Sequence, residues 1–193
     1  MGLGRSVRKL FHKVIASGRI WQYRLLSDCA NVQGRPRIKQ PVLFKGNGTI
    51  MLHDSVRLGV VASPYLYSGY IYLEARNENS RIMAGARTMI NNNCVVISEG
   101  EGVRIGADCL LGYNVHIYDS DFHELTPGRR IGGTPRTGRV VIEDDVFIGA
   151  NATILKSVTI GAGSVIAANA VVTADIPPHV IAAGNPARII RKL

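Results

Sequence analysis

Two of the chain's five histidines fall in one short segment, Val115-His116-Ile117-Tyr118-Asp119-Ser120-Asp121-Phe122-His123, together with two aspartates. A neutral imidazole can take the proton from a hydroxyl as its oxygen attacks a carbonyl carbon, and such help is typically worth about 10²–10⁴-fold in rate. Asp119 and Asp121 could orient that ring or hold its tautomer; aspartates in such a segment are equally ordinary turn formers. Metal chemistry finds no support, because His12, His53, His116, His123 and His179 show neither an HxxxH pair nor a Cys–His ligand spacing. The Gly-rich stretches contain no GxxxxGKS or GxxxxGKT string and are not phosphate loops.

The elements that must position these residues follow from a period of six. Ile142, Ile148, Ile154, Ile160, Ile166 and Val172 recur at that interval, each preceded two positions earlier by Val140, Val146, Ala152, Val158, Ser164 or Ala170. Neither a helix nor simple strand alternation has this period; a chain that turns a corner at every sixth position does, and the reading is a parallel β-helix. Ala84, Ile90 and Val96 keep the register upstream, and Ile105, Leu111 and Ile117 resume it after a slip of three at Ser98–Gly102. The interval from Ile117 to Ile142 is one longer than four repeats, and the stretch 118–139 carries no repeat. A long irregular loop inside a regular solenoid points to function. His116 lies one before the inward Ile117 and is expected to point outward from a face, whereas His123 begins the loop.

Large aliphatics should fill a triangular interior. Corners such as Gly106-Ala107-Asp108, Gly112-Tyr113-Asn114, Gly149-Ala150-Asn151 and Gly161-Ala162-Gly163 supply residues that tolerate unusual backbone angles. An aliphatic core accounts for 46% hydrophobic residues with only 6% aromatic. Cys94 and Cys109 take the small inward position and are expected as reduced core residues, and three cysteines make no disulfide framework. The expected organisation is an amphipathic helical cap over 1–31, the solenoid over 32–183 and a basic tail over 184–193. Residues 32–79 show only Ile50 and Val56 six apart and an aromatic patch, Pro64–Tyr70, which reads either as an edge of an acceptor pocket or as packing between subunits.

The net charge is +9 and the isoelectric point about 9.8. Basic residues gather at both ends and in the loop, at Arg129, Arg130, Arg136 and Arg139. No nucleic-acid fold signature accompanies them, so a polyphosphate ligand is the expected partner of the loop and C-terminal charges, and no nucleic acid. Ahead of Ser27, the residues Leu3, Val7, Leu10, Phe11, Val14 and Ile15 mark one helical face among Arg5, Arg8, Lys9 and Lys13. The first reading is a cap on the open end of the solenoid, and the second is peripheral contact with a membrane surface. No apolar run is long enough to span a bilayer and no secretory leader is visible, so the expected compartment is cytoplasmic.

The blocks Val146-Phe147-Ile148-Gly149-Ala150-Asn151-Ala152, Val158 to Ala168, Val171 to Pro177 and the ending Gly184-Asn185-Pro186-Ala187-Arg188 resemble the hexapeptide-repeat acyltransferases. Within these the chain is similar to galactoside and maltose O-acetyltransferases and to sugar O-acetyltransferases of polysaccharide gene clusters. The resemblance covers roughly Ala84 to the C-terminus. It implies an all-β, left-handed parallel β-helix, a homotrimer with active sites between subunits, and acetyl-CoA as co-substrate. By the same resemblance His123 is the general base, the Ala150 amide is the oxyanion donor, and Asn91 and Asp121 bind the acceptor. Gly149, Ala168, Thr173 and Arg188 contact the cofactor; where many relatives carry Lys after the threonine, this chain has Ala174.

The function expected is acetyl transfer from acetyl-CoA to a sugar hydroxyl of a glycan or polysaccharide precursor. Two alternatives stand beside it: N-acetylation of an amino-sugar nucleotide, and a non-catalytic solenoid that scaffolds or binds.

Overall fold

From Asn31 onward the backbone winds through three mostly parallel sheets that form the faces of a prism. The computed structural model describes residues 4–193; residues 1–3, and the side chains of Arg5, Ser6, Arg8 and Lys9, lie outside the described residues, so the readings of Leu3, Arg5, Arg8 and Lys9 have no structural counterpart. The first face holds six strands, from Asn31–Gln33 to Val158–Ile160, and the third holds six, from Val42–Lys45 to Val171–Val172. The second has eight and ends in the antiparallel pair Val180–Gly184 and Ala187–Lys192. Val140 pairs with Val158, three hexads further along, so three hexads make one coil of a left-handed parallel β-helix.

Stacked coils line up one aliphatic per face. Leu58, Ile90, Leu111, Ile148 and Ile166 form such a column on the second face, and Leu73, Val96, Ile117, Ile154 and Val172 on the third, all buried. Burying each large aliphatic contributes about 1.5–3 kcal/mol. Cys94 and Cys109 are buried and unpaired in the same interior, as their inward position predicts. Corners use left-handed backbone: Asn93, Asn114, Asn151 and Asn169 have φ of 60, 57, 60 and 61° along the edge between the second and third faces. Their side chains form a ladder, with Asn93 Nδ2 donating to Asn114 Oδ1 at 2.8 Å and Asn114 Nδ2 to Asn151 Oδ1 at 3.0 Å.

Two irregularities interrupt the repeat where the sequence breaks it. Val103 pairs with Ile82 on the coil before it, and that coil is lengthened by the slip at Ser98–Gly102. On its other side Val103 pairs with Val140, because the loop after His116–Tyr118 leaves and rejoins the same edge.

Residues 32–79 form further coils; Ile50 and Val56 are both fully buried. Their period is hidden by the excursion Val60–Tyr70, inserted between the strands Arg57–Leu58 and Ile71–Ala75. Asn92 holds that excursion: its Oδ1 accepts from the Val60 amide at 2.9 Å and its Nδ2 donates to the carbonyls of Val60, Ser63 and Pro64.

The helix α1 (Arg5–Leu26) lies against this excursion. Arg19 donates to the carbonyls of Leu66 and Gly69 at 2.9 and 2.8 Å, His12 bonds the Tyr67 hydroxyl at 2.7 Å, and Tyr23 packs on Tyr70 at 4.8 Å between ring centroids. The docked stripe is therefore His12, Ile15, Ala16, Arg19, Ile20 and Tyr23, all half-buried. This differs from the sequence reading, in which the face containing Val7, Leu10, Phe11 and Val14 was the packing face: those four are exposed. Polar and aromatic contacts to carbonyls and hydroxyls, which a hydropathy pattern does not register, choose the docking side. They also give the Pro64–Tyr70 patch its role in this chain, as the seat of α1.

Candidate active site

The loop that carries His123 has a closed neck. Ser120 bridges Thr137, the Asp121 amide donates to the Arg136 carbonyl at 3.0 Å, and the Gly138 amide to the Asp119 carbonyl at 2.9 Å. Beyond the neck the Gly133 amide donates to the Arg129 carbonyl and Arg129 pairs with Glu124 at 3.1 Å, so the loop has internal order.

Phe122 enters the loop with φ of 60°, a conformation costly for a bulky residue. Its amide donates to Ser120 Oγ at 2.9 Å, its ring meets Tyr118 edge-on at 5.4 Å, and the Arg76 guanidinium lies 5.0 Å over it. Three partners thus hold the strained turn that sets the direction of His123.

His123 Nδ1 lies 3.1 Å from the Arg130 carbonyl oxygen. A carbonyl only accepts, so Nδ1 carries the hydrogen and Nε2 of the neutral ring keeps its lone pair. The ring is exposed at the edge of a cleft of about 420 Å³ lined by Arg76, Ile97, Tyr118, Asp121, Phe122 and His123. Arg76 and Ile97 also line a second cleft of about 400 Å³ with Tyr70, Tyr72, Glu74, Asn93 and Val95. Burial and the Glu74 charge push the Tyr72 phenol up to about 12, so it remains a donor, bonded to Glu74 Oε2 at 3.1 Å.

The structure separates the two aspartates between the roles the sequence leaves open. Asp119 does not orient the imidazole. It is fully buried and accepts from Ser98 Oγ at 2.8 Å and from the amides of Glu99 at 2.7 Å, Gly100 at 3.2 Å and Gly102 at 2.8 Å. Those donors belong to the corner that the three-residue slip creates, and only a carboxylate with several free lone pairs can satisfy them all. Asp121 lines the cleft beside His123; Lys156 Nζ donates to its Oδ1 at 2.7 Å, and its buried Oδ2 has no partner among the described residues.

His116 stands outward on the third face between Val95 and Thr153 of adjacent coils, as its place in the repeat predicts. Burial holds its pKa below the ordinary histidine value.

Ala150 and Gly149 sit on the edge between the second and third faces. A Cβ on Gly149 would lie 2.5 Å from the Ala168 amide nitrogen and 2.8 Å from the Ala167 carbonyl carbon, so stacking of the coils itself demands glycine there. The same tight stack puts Ala168 next to Gly149. The Ala150 carbonyl accepts from the Asn169 amide at 2.9 Å, while its own N–H has no acceptor among the described residues. The corresponding amides of Ala107 and Ala162, on the edge between first and second faces, are occupied by Asp144 and Glu143.

Asn91 lies on the same edge as Ala150, nearer the N-terminus, with its Oδ1 accepting from the Asn92 amide at 2.7 Å. Thr173 is exposed on the edge that carries the loop, just after the strand Val171–Val172, and Arg188 is exposed on the terminal hairpin, opposite Ala183. The structure thus gathers Asn91, Gly149, Ala150 and Ala168 on one edge, and Asp121, His123 and Thr173 along the other. One width of the third face separates the groups, on the order of 15 Å at about 3.3 Å per residue. The sequence reading missed Phe122, Arg76 and Lys156; nothing in the period marks them, although a bulky residue next to the candidate base was visible.

Comparison with known proteins bears on the fold and the repeat. The hexapeptide repeat of succinyl-transferase matches residues 102–117 and 139–174, leaving out the loop. A provisionally named acetyltransferase of Saccharomyces cerevisiae is 41% identical over 59% of this chain and 57% of its own length. The chain spans about half the length of the curated relatives it matches, 57, 52 and 55% of the first three. The structure of the polySia-specific acetyltransferase NeuO aligns with a TM-score of 0.65 at 29% identity, covering 83% of this chain and 68% of that one. Galactoside acetyltransferase, solved in complex with coenzyme A, aligns over 100% of this chain and 84% of its own with a TM-score of 0.58; at 23% identity it speaks to the fold.

Proposed function

We propose that this chain, which belongs to the hexapeptide-repeat acyltransferase family, is an acetyl-CoA-dependent O-acetyltransferase acting on a sugar hydroxyl of a glycan or polysaccharide precursor. The observation that carries the reading is the Nδ1–H bond from His123 to the Arg130 carbonyl, which leaves Nε2 as the proton acceptor at the edge of a cleft. In the step it serves, Nε2 takes the acceptor hydroxyl's proton as the oxygen attacks the thioester carbonyl carbon. The oxygen of that carbonyl gains negative charge, and the preorganised Ala150 N–H is the group to stabilise it. Collapse breaks the carbon–sulfur bond, and the imidazolium returns its proton to the departing thiolate. Asp121, with one oxygen held by Lys156 and the other without a donor, is the cleft residue suited to accept from a second acceptor hydroxyl.

His123 and Ala150 must lie within a few ångströms of one reacting carbon, yet they stand on opposite edges of the third face. The reading therefore includes a closed ring of three chains whose third faces turn toward a common axis, so that the loop edge of one chain meets the Ala150 edge of the next. Two features support it. The C-terminal part of the third face is uncharged on its outward side along Val95, Ile97, Tyr118, Thr153 and Val171, whereas Lys45 and Glu74 lie on its first strands. The loop also holds out two apolar side chains, Leu125 and Ile131, 62% and 96% exposed. In such a ring Ala168 and Arg188 of one chain and Thr173 of the next flank the same groove, where acetyl-CoA would lie.

The test is release of free thiol from acetyl-CoA against a panel of sugars, polysaccharides and nucleotide sugars, with His123→Ala as control. Acceptor-dependent release should fall about a hundredfold or more in the variant. Turnover that survives in His123→Ala removes the assigned base, and transfer to amino groups alone replaces O- by N-acetylation.

A further inference from the structure

The side of α1 turned away from the solenoid carries a continuous apolar stripe. Val7, Leu10, Phe11, Val14, Trp21 and Leu25 are each at least half exposed, and at about 100° per residue they fall within a band about 100° wide. The opposite stripe already does the docking, through His12, Arg19 and Tyr23. A helix needs one apolar face to pack on its own domain; this one has a second, and the contacts of the first do not involve it.

Charge says what the second stripe fits. Every charged residue ahead of Asp28 is basic: Arg5, Arg8, Lys9, Lys13, Arg19 and Arg24. Lys13 and Arg24 are exposed beside the stripe, while Arg19 is engaged with backbone carbonyls. Another copy of this helix would bring the same unbalanced cations to the contact, so the stripe suits an anionic surface better than its own double. Basic residues around a face of Trp, Phe and Leu on an otherwise polar helix are the composition of helices that lie in the plane of a bilayer's headgroups. No helix among the described residues is long and apolar enough to cross a membrane, so contact would be at the surface.

We propose that α1 docks the protein on an anionic membrane surface, with Leu10, Phe11, Val14 and Trp21 entering the headgroup layer. This stands independently of acetyl transfer; it places the enzyme where an acceptor built at a membrane would be found.

Trp21 is the chain's one tryptophan and sits on the stripe, 63% exposed, so its emission reports the contact directly. The full-length protein is titrated with phosphatidylglycerol-containing vesicles and, separately, with pure phosphatidylcholine vesicles. The expected result is a blue shift with the anionic vesicles only, reversed by salt. Binding should weaken about tenfold or more in a Leu10→Glu, Val14→Glu variant whose far-ultraviolet circular dichroism and mass in solution match the parent. Emission that is already blue without lipid and unmoved by it would assign the stripe to contact between copies and overturn the proposal. Equal binding to neutral vesicles, no shift with either lipid, or full binding by the double variant would overturn it as well.

Discussion

Two inactive variants should restore each other when their chains assemble together. His123→Ala removes the proton acceptor while leaving the Ala150 edge intact. Ala150→Trp leaves His123 intact and fills the corner where the thioester must approach a backbone N–H. Each variant alone should retain on the order of a hundredth of wild-type turnover or less. If a site draws His123 from one chain and Ala150 from its neighbour, random assembly of equal amounts supplies an intact histidine to half the sites. Independently, an intact Ala150 reaches half of them. About a quarter of sites are then wild type in a closed ring of independent neighbours, roughly 25-fold above the residual of either parent. The yield follows f(1 − f) for a fraction f of one variant, so equal mixing should be the maximum.

The expectation rests on the width of the third face, on the order of 15 Å at about 3.3 Å per residue, between the two edges that carry these residues. The assay is thiol release from acetyl-CoA with the best acceptor of the panel, on chains expressed together and compared with a mixture of separately assembled variants. Separately assembled variants should stay inactive. If chains expressed together also give no more than the average of the parents, both residues of a site come from the same chain. The loop must then fold back across the third face, and the intersubunit reasoning fails.

Two further outcomes follow from buried groups. Asp119→Ala strands three backbone N–H groups and the Ser98 hydroxyl at the 98–102 corner; at about 1–3 kcal/mol for each unsatisfied group and with partial relaxation, chemical denaturation should show a loss of about 3–5 kcal/mol. A loss below about 1 kcal/mol would show that the corner finds other acceptors. His116 has a folded pKa below its ordinary value because of burial, so the unfolded chain binds its proton first as pH falls. Its contribution is complete above about pH 6.5 and is lost as pH drops from there toward the folded pKa. Thermal melts should fall less over that window in His116→Gln, which should also keep acetyl transfer; unchanged pH dependence would show that another group carries the acid loss.

The solenoid was legible because its period is enforced by the interior. Each of Ile142, Ile148, Ile154 and Ile160 is wholly buried, so the interior holds the series to apolar side chains. Residues 32–79 were illegible for a definite reason: the Val60–Tyr70 excursion is pinned by Asn92, far along the sequence and one coil away in space. The choice between the two readings of Asp119 was open for a similar reason. Its partners, Ser98, Glu99 and Gly102, lie on the preceding coil, and a side chain that serves the coil before it leaves no local mark. The candidate base was found by resemblance, but its tautomer depends on the Arg130 carbonyl, further into a loop without period. Likewise, hydropathy gives α1 an apolar face, while Arg19 and Tyr23 decide which side docks.

The same ladders that make the fold legible also dictate where chemistry can occur. A prism filled by stacked isoleucines and valines is packed through its middle, so space for a ligand has to be sought on its outer surface. Two features can deepen that surface beside the candidate base: a loop that leaves an edge and overhangs a face, and the groove between two prisms laid side by side. This chain has the first at residues 118–139, where the clefts at His123 and Tyr72 adjoin through Arg76 and Ile97. The Ala150 N–H lies on an open edge with no acceptor among the described residues, as do the stacked amides of Tyr113 and Ala168. A row of free amides along one edge is compatible with a groove between two prisms. On the proposed reading the active site would belong to the assembly, with each chain contributing to two different sites.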